Sequence, residues 1–188
     1  MIISYNQILF IEENVIMTNT KIQKMVDRVI IPQEEANRIA EDTIRIFAPS
    51  IKEDLGITID FEIEVEDVHM IDLFTANYMS TGLTILGLDG SISVEIFTLP
   101  IRFSALSSRK RFVKSVITYL SHELMHVKQY QENGKEIFFS GASLQDKKMN
   151  IKNLVNYRNH PVEVEAYDYQ KRFMNSHKRQ INTILRTI

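Results

Sequence analysis

The sequence predicts an α+β fold with an N-terminal helix, a small, mostly antiparallel sheet and two further helices. Three observations carry this expectation. Apolar residues recur at helical spacing from Ala36 to Phe47 and again from Phe112 to Val127. Between those stretches, apolar and polar residues alternate strictly from Ile57 to Val65. The dipeptide Asp89-Gly90 then separates two short strand-like segments, as in a hairpin. The absence of a repeat or linker, and a length of 188 residues, suit one domain with a sizeable core. Residues 17–188 are expected to form it. Residues 1–16 read as an N-terminal extension, because Met17 opens a polar stretch, MTNTKIQK, of the kind that starts a soluble chain.

Each element has a local cause. Pro32 followed by Gln33, Glu34 and Glu35 opens the first helix, since Pro fits a first turn and acids complement the positive end of the helix dipole. Its apolar stripe is Ala36, Ile39, Ala40, Ile44 and Phe47; Pro49 lies in or beside its last turns and Gly56 closes it. Ile57, Ile59, Phe61, Ile63 and Val65 then face one way and Thr58, Asp60, Glu62 and Glu64 the other. That pattern predicts a half-buried antiparallel strand with an acidic outer face. Leu83 to Leu86 and Ser91 to Thr98 form the hairpin strands, with Pro100 ending the second. Ser107 or Ser108 can cap the strongest helix, which stops at Asn133-Gly134. Lys135 to Asn159 reads mostly as loop, and Pro161 opens a last helix with Val162, Ala166, Tyr169 and Phe173 on one face.

Composition excludes several classes. A 44% apolar share with a net charge of −2 is not that of a disordered chain. With no Cys, the chain has no disulfide framework, no iron–sulfur cluster and no thiolate zinc site, so any metal must sit on His, Asp or Glu. The near-neutral charge gives no reason to expect nucleic acid as a partner. No run approaches the ~18 apolar residues of a membrane span. The start lacks a basic, cleavable leader, so a cytoplasmic location is expected.

The strongest helix carries His122-Glu123-Leu124-Met125-His126, an HExxH motif. Residues four apart on an α-helix differ by about 40° in azimuth and about 6 Å in rise, so the two imidazoles can converge on one ion. Glu123 is rotated by about 100° from His122, so it borders the ion without having to bind it. A carboxylate there can take a proton from water that the ion acidifies. A catalytic zinc needs a third protein ligand and an open position. His160, Glu163, Glu165 and Asp168 are the downstream candidates. With Val162 at the centre of the buried face, Glu163 and Glu165 flank it on opposite sides, and helical geometry alone does not choose between them. The one not used would be solvated or would act on a ligand from outside.

HExxH, an intervening loop and then Glu-x-Glu-Ala at a helix start resemble the compact zincin metallopeptidases of gluzincin type, including small phage and bacterial peptidases. The likeness covers His122 to Tyr169 and the strand-before-helix order ahead of it. It implies a minimal zincin-like domain, a zinc cofactor and a protein or peptide substrate. It also implies that the first Glu of the run is the ligand. By this resemblance Glu163 is the third metal ligand after His122 and His126, with Glu165 as runner-up and His160 third, and Glu123 is the catalytic base. An edge strand would bind substrate backbone in extended form, with Ser91 to Thr98 as the candidate. The chain departs from the thermolysin-like pattern, which has an Asp four residues after the ligand Glu; here Tyr167 follows Glu163 and Tyr169 follows Glu165 at that spacing. The partner of the ring N–H groups is therefore unassigned.

Other polar residues have plainer readings. Tyr157, Arg158 and His160 could supply an oxyanion donor but read as ordinary loop residues. His69 and His177 read as structural or surface residues, Arg109 to Arg111 as a solvated face, and Tyr119 and Tyr130 as packing. Two rival functions stand beside a peptidase. One is a binding or regulatory protein with a structural or vestigial metal; the other is a metal-dependent amide hydrolase acting on a non-peptide substrate. An intact Glu123 argues against a purely structural site.

Overall fold

A computed structural model describes residues 31–67, 81–87, 89–105, 108–134 and 158–187. The expected extension 1–16, the ambiguous stretch 68–80 and most of the expected loop, residues 135–157, lie outside them, as do His69, Ser107 and Tyr157. The fold is α+β, with five helices and a three-stranded sheet among the described residues. In chain order these are α1 (Gln33–Leu55), β1 (Glu62–Glu66), β2 (Gly82–Leu86), β3 (Ile92–Phe97), α2 (Thr98–Ala105), α3 (Arg109–Asn133), α4 (Pro161–Ser176) and α5 (Lys178–Ile184).

The helix signals act where the sequence places them. Pro32 precedes α1, and Gly56 ends it at φ 64°, a left-handed conformation that costs glycine little. Pro49 lies inside the helix. Ala36, Ala40, Ile44, Phe47, Ile51 and Leu55 form its buried stripe. Ser108 caps α3, its hydroxyl accepting from the Arg111 amide at 3.3 Å, and Gly134 closes it. The side chain of Gln131 on α3 holds the link between α1 and β1. Its carbonyl accepts from the Thr58 and Ile59 amides at 2.6 and 3.2 Å, and its amide donates to the Gly56 carbonyl at 3.0 Å. That clasp directs the chain from α1 onto the sheet.

The sheet departs from expectation in three ways. Its order is β1-β3-β2, with β1 parallel to β3 and β2 antiparallel to β3, so it is mixed rather than mostly antiparallel. The alternation Ile57–Val65 does bury one face of β1 and expose Glu62, Glu64 and Glu66. Alternation reports which side chains are buried and is silent on strand direction. Second, β3 is central, with a partner on each edge, so Ser91 to Thr98 cannot receive an added strand; among the described residues β2 is the edge beside α3. Third, Pro100 does not end the hairpin. The strand stops at Phe97, and Pro100 sits in the first turn of α2, where a missing N–H costs nothing. The hairpin itself forms around Asp89-Gly90, with Gly90 at φ 90° and Asp89 Oδ1 accepting from the Ser91 amide at 2.9 Å.

Helix α3 is the hub, packed against α1, α2, α4, β2 and β3. Phe112, Val113, Val116, Ile117, Leu120, Leu124 and Val127 are all completely buried along it. Truncating one of them leaves a cavity that a surrounded helix cannot collapse to fill. Leu120→Ala, two residues before the HExxH motif, should lower stability by about 2–5 kcal/mol in chemical denaturation. A loss under about 1 kcal/mol would mean that α3 is not the packed centre.

Candidate metal centre

His122 and His126 stand one turn apart on α3, and the buried start of α4 faces them. Their rings meet edge to face, with centroids 4.9 Å apart, and the two Nε2 atoms lie 3.2 Å from one another. Pro161 opens α4, so Glu163 falls in its first turn, 6% exposed. Glu163 Oε2 lies 3.2 Å from His122 Nε2, and Oε1 lies 3.4 Å from His126 Nε2. Of the candidates the sequence offers, the structure brings these three together, with one donor atom from each within 4.8 Å of the others.

The donor set suits zinc. Tetrahedral zinc with bonds of about 2.0–2.1 Å separates its ligand atoms by about 3.3 Å. The two Nε2 atoms are 3.2 Å apart, and each faces a different oxygen of Glu163, at 3.2 Å for His122 and 3.4 Å for His126, so the cluster spans the scale of such a site. Two imidazoles and a carboxylate are borderline-to-hard ligands of the kind that zinc accepts.

Glu165 lies elsewhere. Its Oε2 accepts from Gln129 Nε2 at 2.9 Å, and its side chain is otherwise on the exposed side of α4. Gln129 is 1% exposed and fully engaged: Nε2 also donates to the Val162 carbonyl at 3.0 Å, and Oε1 is 2.7 Å from His126 Nδ1. His160 caps α4, and its Nδ1 is buried with no partner among the described residues. Asp168 is exposed and pairs with Lys171 at 3.5 Å. Tyr167 occupies the place where a thermolysin-like chain has Asp; its ring packs on that of His122 at 4.7 Å. Burial, then the charge of Glu163, raises the Tyr167 pKa.

Glu123 is 7% exposed beside the cluster. Burial pushes its pKa up to about 7; His126 and the Thr84 hydroxyl oppose the rise, and Glu163 adds to it. Thr84 on β2 shares its hydroxyl proton between Glu123 Oε2 and the Glu123 carbonyl, each at 3.0 Å. Two residues before it, Gly82 lies directly over the Glu123 side chain. A Cβ there would sit 2.9 Å from Glu123 Cγ and 3.1 Å from Oε1, so β2 can approach this closely only with glycine.

The plainer readings fare as follows. His177 stacks on Phe173 at 4.0 Å, Arg109 pairs with Glu35 at 2.5 Å, and Tyr119 and Tyr130 pack on the core. Sequence reasoning missed Gln129, Thr84 and Gly82. Gln129 had a signal: it follows His126 by three residues and His122 by seven, and so shares their helix face. Thr84 and Gly82 had none, because their partner is 39 or more residues away. No family model, curated protein or solved structure matches the chain.

The raised pKa of Glu123 gives a pH test on metal-free protein. Below its unfolded value near 4.5 the group is neutral in both states and costs nothing. As pH climbs through 4.5 towards 7 the unfolded state ionises first, and the folded state loses stability. Glu123→Gln removes that penalty. Urea denaturation with chelator present should show the variant gaining stability over wild type between pH 4 and pH 8, by up to about 3 kcal/mol. An unchanged difference across that range would refute the buried, elevated carboxylate.

Proposed function

We propose that the chain is a zinc-dependent metallopeptidase in which His122, His126 and Glu163 hold the metal and Glu123 is the general base. The observation that carries this reading is Glu123 itself. It is buried beside a complete three-ligand cluster, it is not part of that cluster, and its proton affinity is poised near neutrality. A structural site has no use for such a group; hydrolysis does.

Zinc held there supplies Lewis acidity, acidifying water and polarising a carbonyl. The remaining steps belong to the chain. Glu123 accepts the proton of the attacking water at its carboxylate while the hydroxyl adds to the carbonyl carbon. As the C–N bond breaks, Glu123 returns the proton to the leaving amine. Thr84 holds the carboxylate oriented through both transfers. A group balanced near pH 7 can accept and release a proton with little cost in either direction. The resemblance implies that substrate pairs with a strand edge. Strand β2 fits that role, with one neighbour among the described residues and direct contact to Glu123. An extended peptide added to β2 would run beside the base.

Glu123→Gln should retain zinc and fold but lose about 10²–10⁴-fold or more of peptide cleavage in a broad peptide-library assay. Retained cleavage would sink the general-base role, and no cleavage by zinc-loaded wild type would sink the peptidase reading. Chelator competition should also show Glu163→Ala losing more zinc affinity than Glu165→Ala. The reverse order would move the ligand to Glu165.

A further inference from the structure

We propose that Gln129 is a positioning residue that fixes His126 in one tautomer and fastens the Glu163-bearing end of α4 to α3. The inference rests on the metal reading above and deepens it, because it assigns the unidentified partner of a ligand histidine.

The hydrogen-bond directions leave one arrangement. Gln129 Nε2 contacts the Val162 carbonyl at 3.0 Å and the Glu165 carboxylate at 2.9 Å. Both partners are acceptors, so the amide NH₂ must face them. The amide oxygen therefore faces His126 Nδ1, 2.7 Å away. An amide oxygen only accepts, so His126 must carry its proton on Nδ1. A neutral imidazole has one proton, which leaves a lone pair on Nε2, pointed at His122 and Glu163. The same amide ties the backbone at Val162, one residue before Glu163, to helix α3. One buried side chain thus prepares two ligands on two helices.

His122 provides the contrast. Its Nδ1 is buried with no partner among the described residues, while its Nε2 lies 3.2 Å from the Glu163 carboxylate and 3.2 Å from His126 Nε2. In the metal-free protein its proton therefore sits on Nε2, directed at those two acceptors. The two histidines hold opposite tautomers, and only His126 is arranged for a ligand role in advance. Glu165 acts on the site through the Gln129 amide.

The test uses the full chain, ¹⁵N-labelled and stripped with chelator, at a pH where both rings are neutral. Long-range ¹H–¹⁵N correlations should show His126 protonated at Nδ1 and His122 at Nε2. Gln129→Met should abolish the His126 preference, leave His122 as it was and weaken zinc binding by about 10–100-fold in chelator competition. Gln129→Glu, which keeps an acceptor for Nδ1 but loses the donor to Val162 and opposes Glu165, should keep the His126 tautomer and still weaken zinc. A wild-type His126 protonated at Nε2 overturns the proposal without need of any variant. So does a Gln129→Met protein with unchanged tautomer and affinity. Failure of the metal reading looks different: wild type then binds no zinc, while the metal-free tautomers still report on Gln129.

Discussion

The structure depends on the first turn of α4 closing against the last turns of α3. The His122–His126–Glu163 cluster lies at that contact. The two imidazoles come from one helix, and the carboxylate that meets them comes from a segment 37 residues beyond His126. The closure brings together polar groups that would each cost free energy if buried alone. Most of their polar atoms find partners across the contact, His122 Nδ1 being the exception among the described residues. Glu163 faces both Nε2 atoms, and Gln129 spans from His126 to Val162 and Glu165. The apolar residues beneath, Ala166, Tyr169 and Phe173 on α4 against the α3 stripe, supply the hydrophobic drive that holds the two helices together.

The sheet serves this contact from the other side. Strand β3 is central and anchors the sheet, which leaves β2 to cover α3. The lack of a side chain at Gly82 lets β2 descend onto Glu123, and the Thr84 hydroxyl then meets the carboxylate. Glu123 is therefore held from the strand, and the His122–His126–Glu163 cluster from the two helices α3 and α4. The division has a physical logic. In the proposed reaction a metal-binding set is kept rigid to hold its spacing, whereas a general base exchanges a proton, and a single hydroxyl contact would restrain Glu123 without locking its charge.

Local signals were legible in the sequence, and tertiary ones were not. The caps at Ser108 and Gly134, the helix start at Pro161 and the turn at Asp89-Gly90 all depend on a few adjacent residues, and all stand where the sequence places them. The HExxH spacing likewise follows from helical geometry alone. The choice between Glu163 and Glu165 did not. An apolar stripe centred on Val162 put both acids at its margins, whereas the buried line runs Glu163, Ala166, Tyr169 and Phe173, with Val162 only half-buried. A carboxylate on the buried face is invisible to a pattern that counts apolar residues. Strand direction was hidden for a similar reason: the alternation in β1 marks a buried face equally well in a parallel or an antiparallel pairing. Helix α2 escaped notice because Pro100 reads as a stop, although Pro is also at home in a first helical turn.

The most direct measurement is anomalous diffraction at the zinc edge from crystals of the full chain grown with zinc. One strong peak is expected, bonded to Nε2 of His122, Nε2 of His126 and the carboxylate of Glu163, with Glu165 still on the Gln129 amide. No peak between those atoms, or a peak held by Glu165 or His160 in place of Glu163, would contradict it.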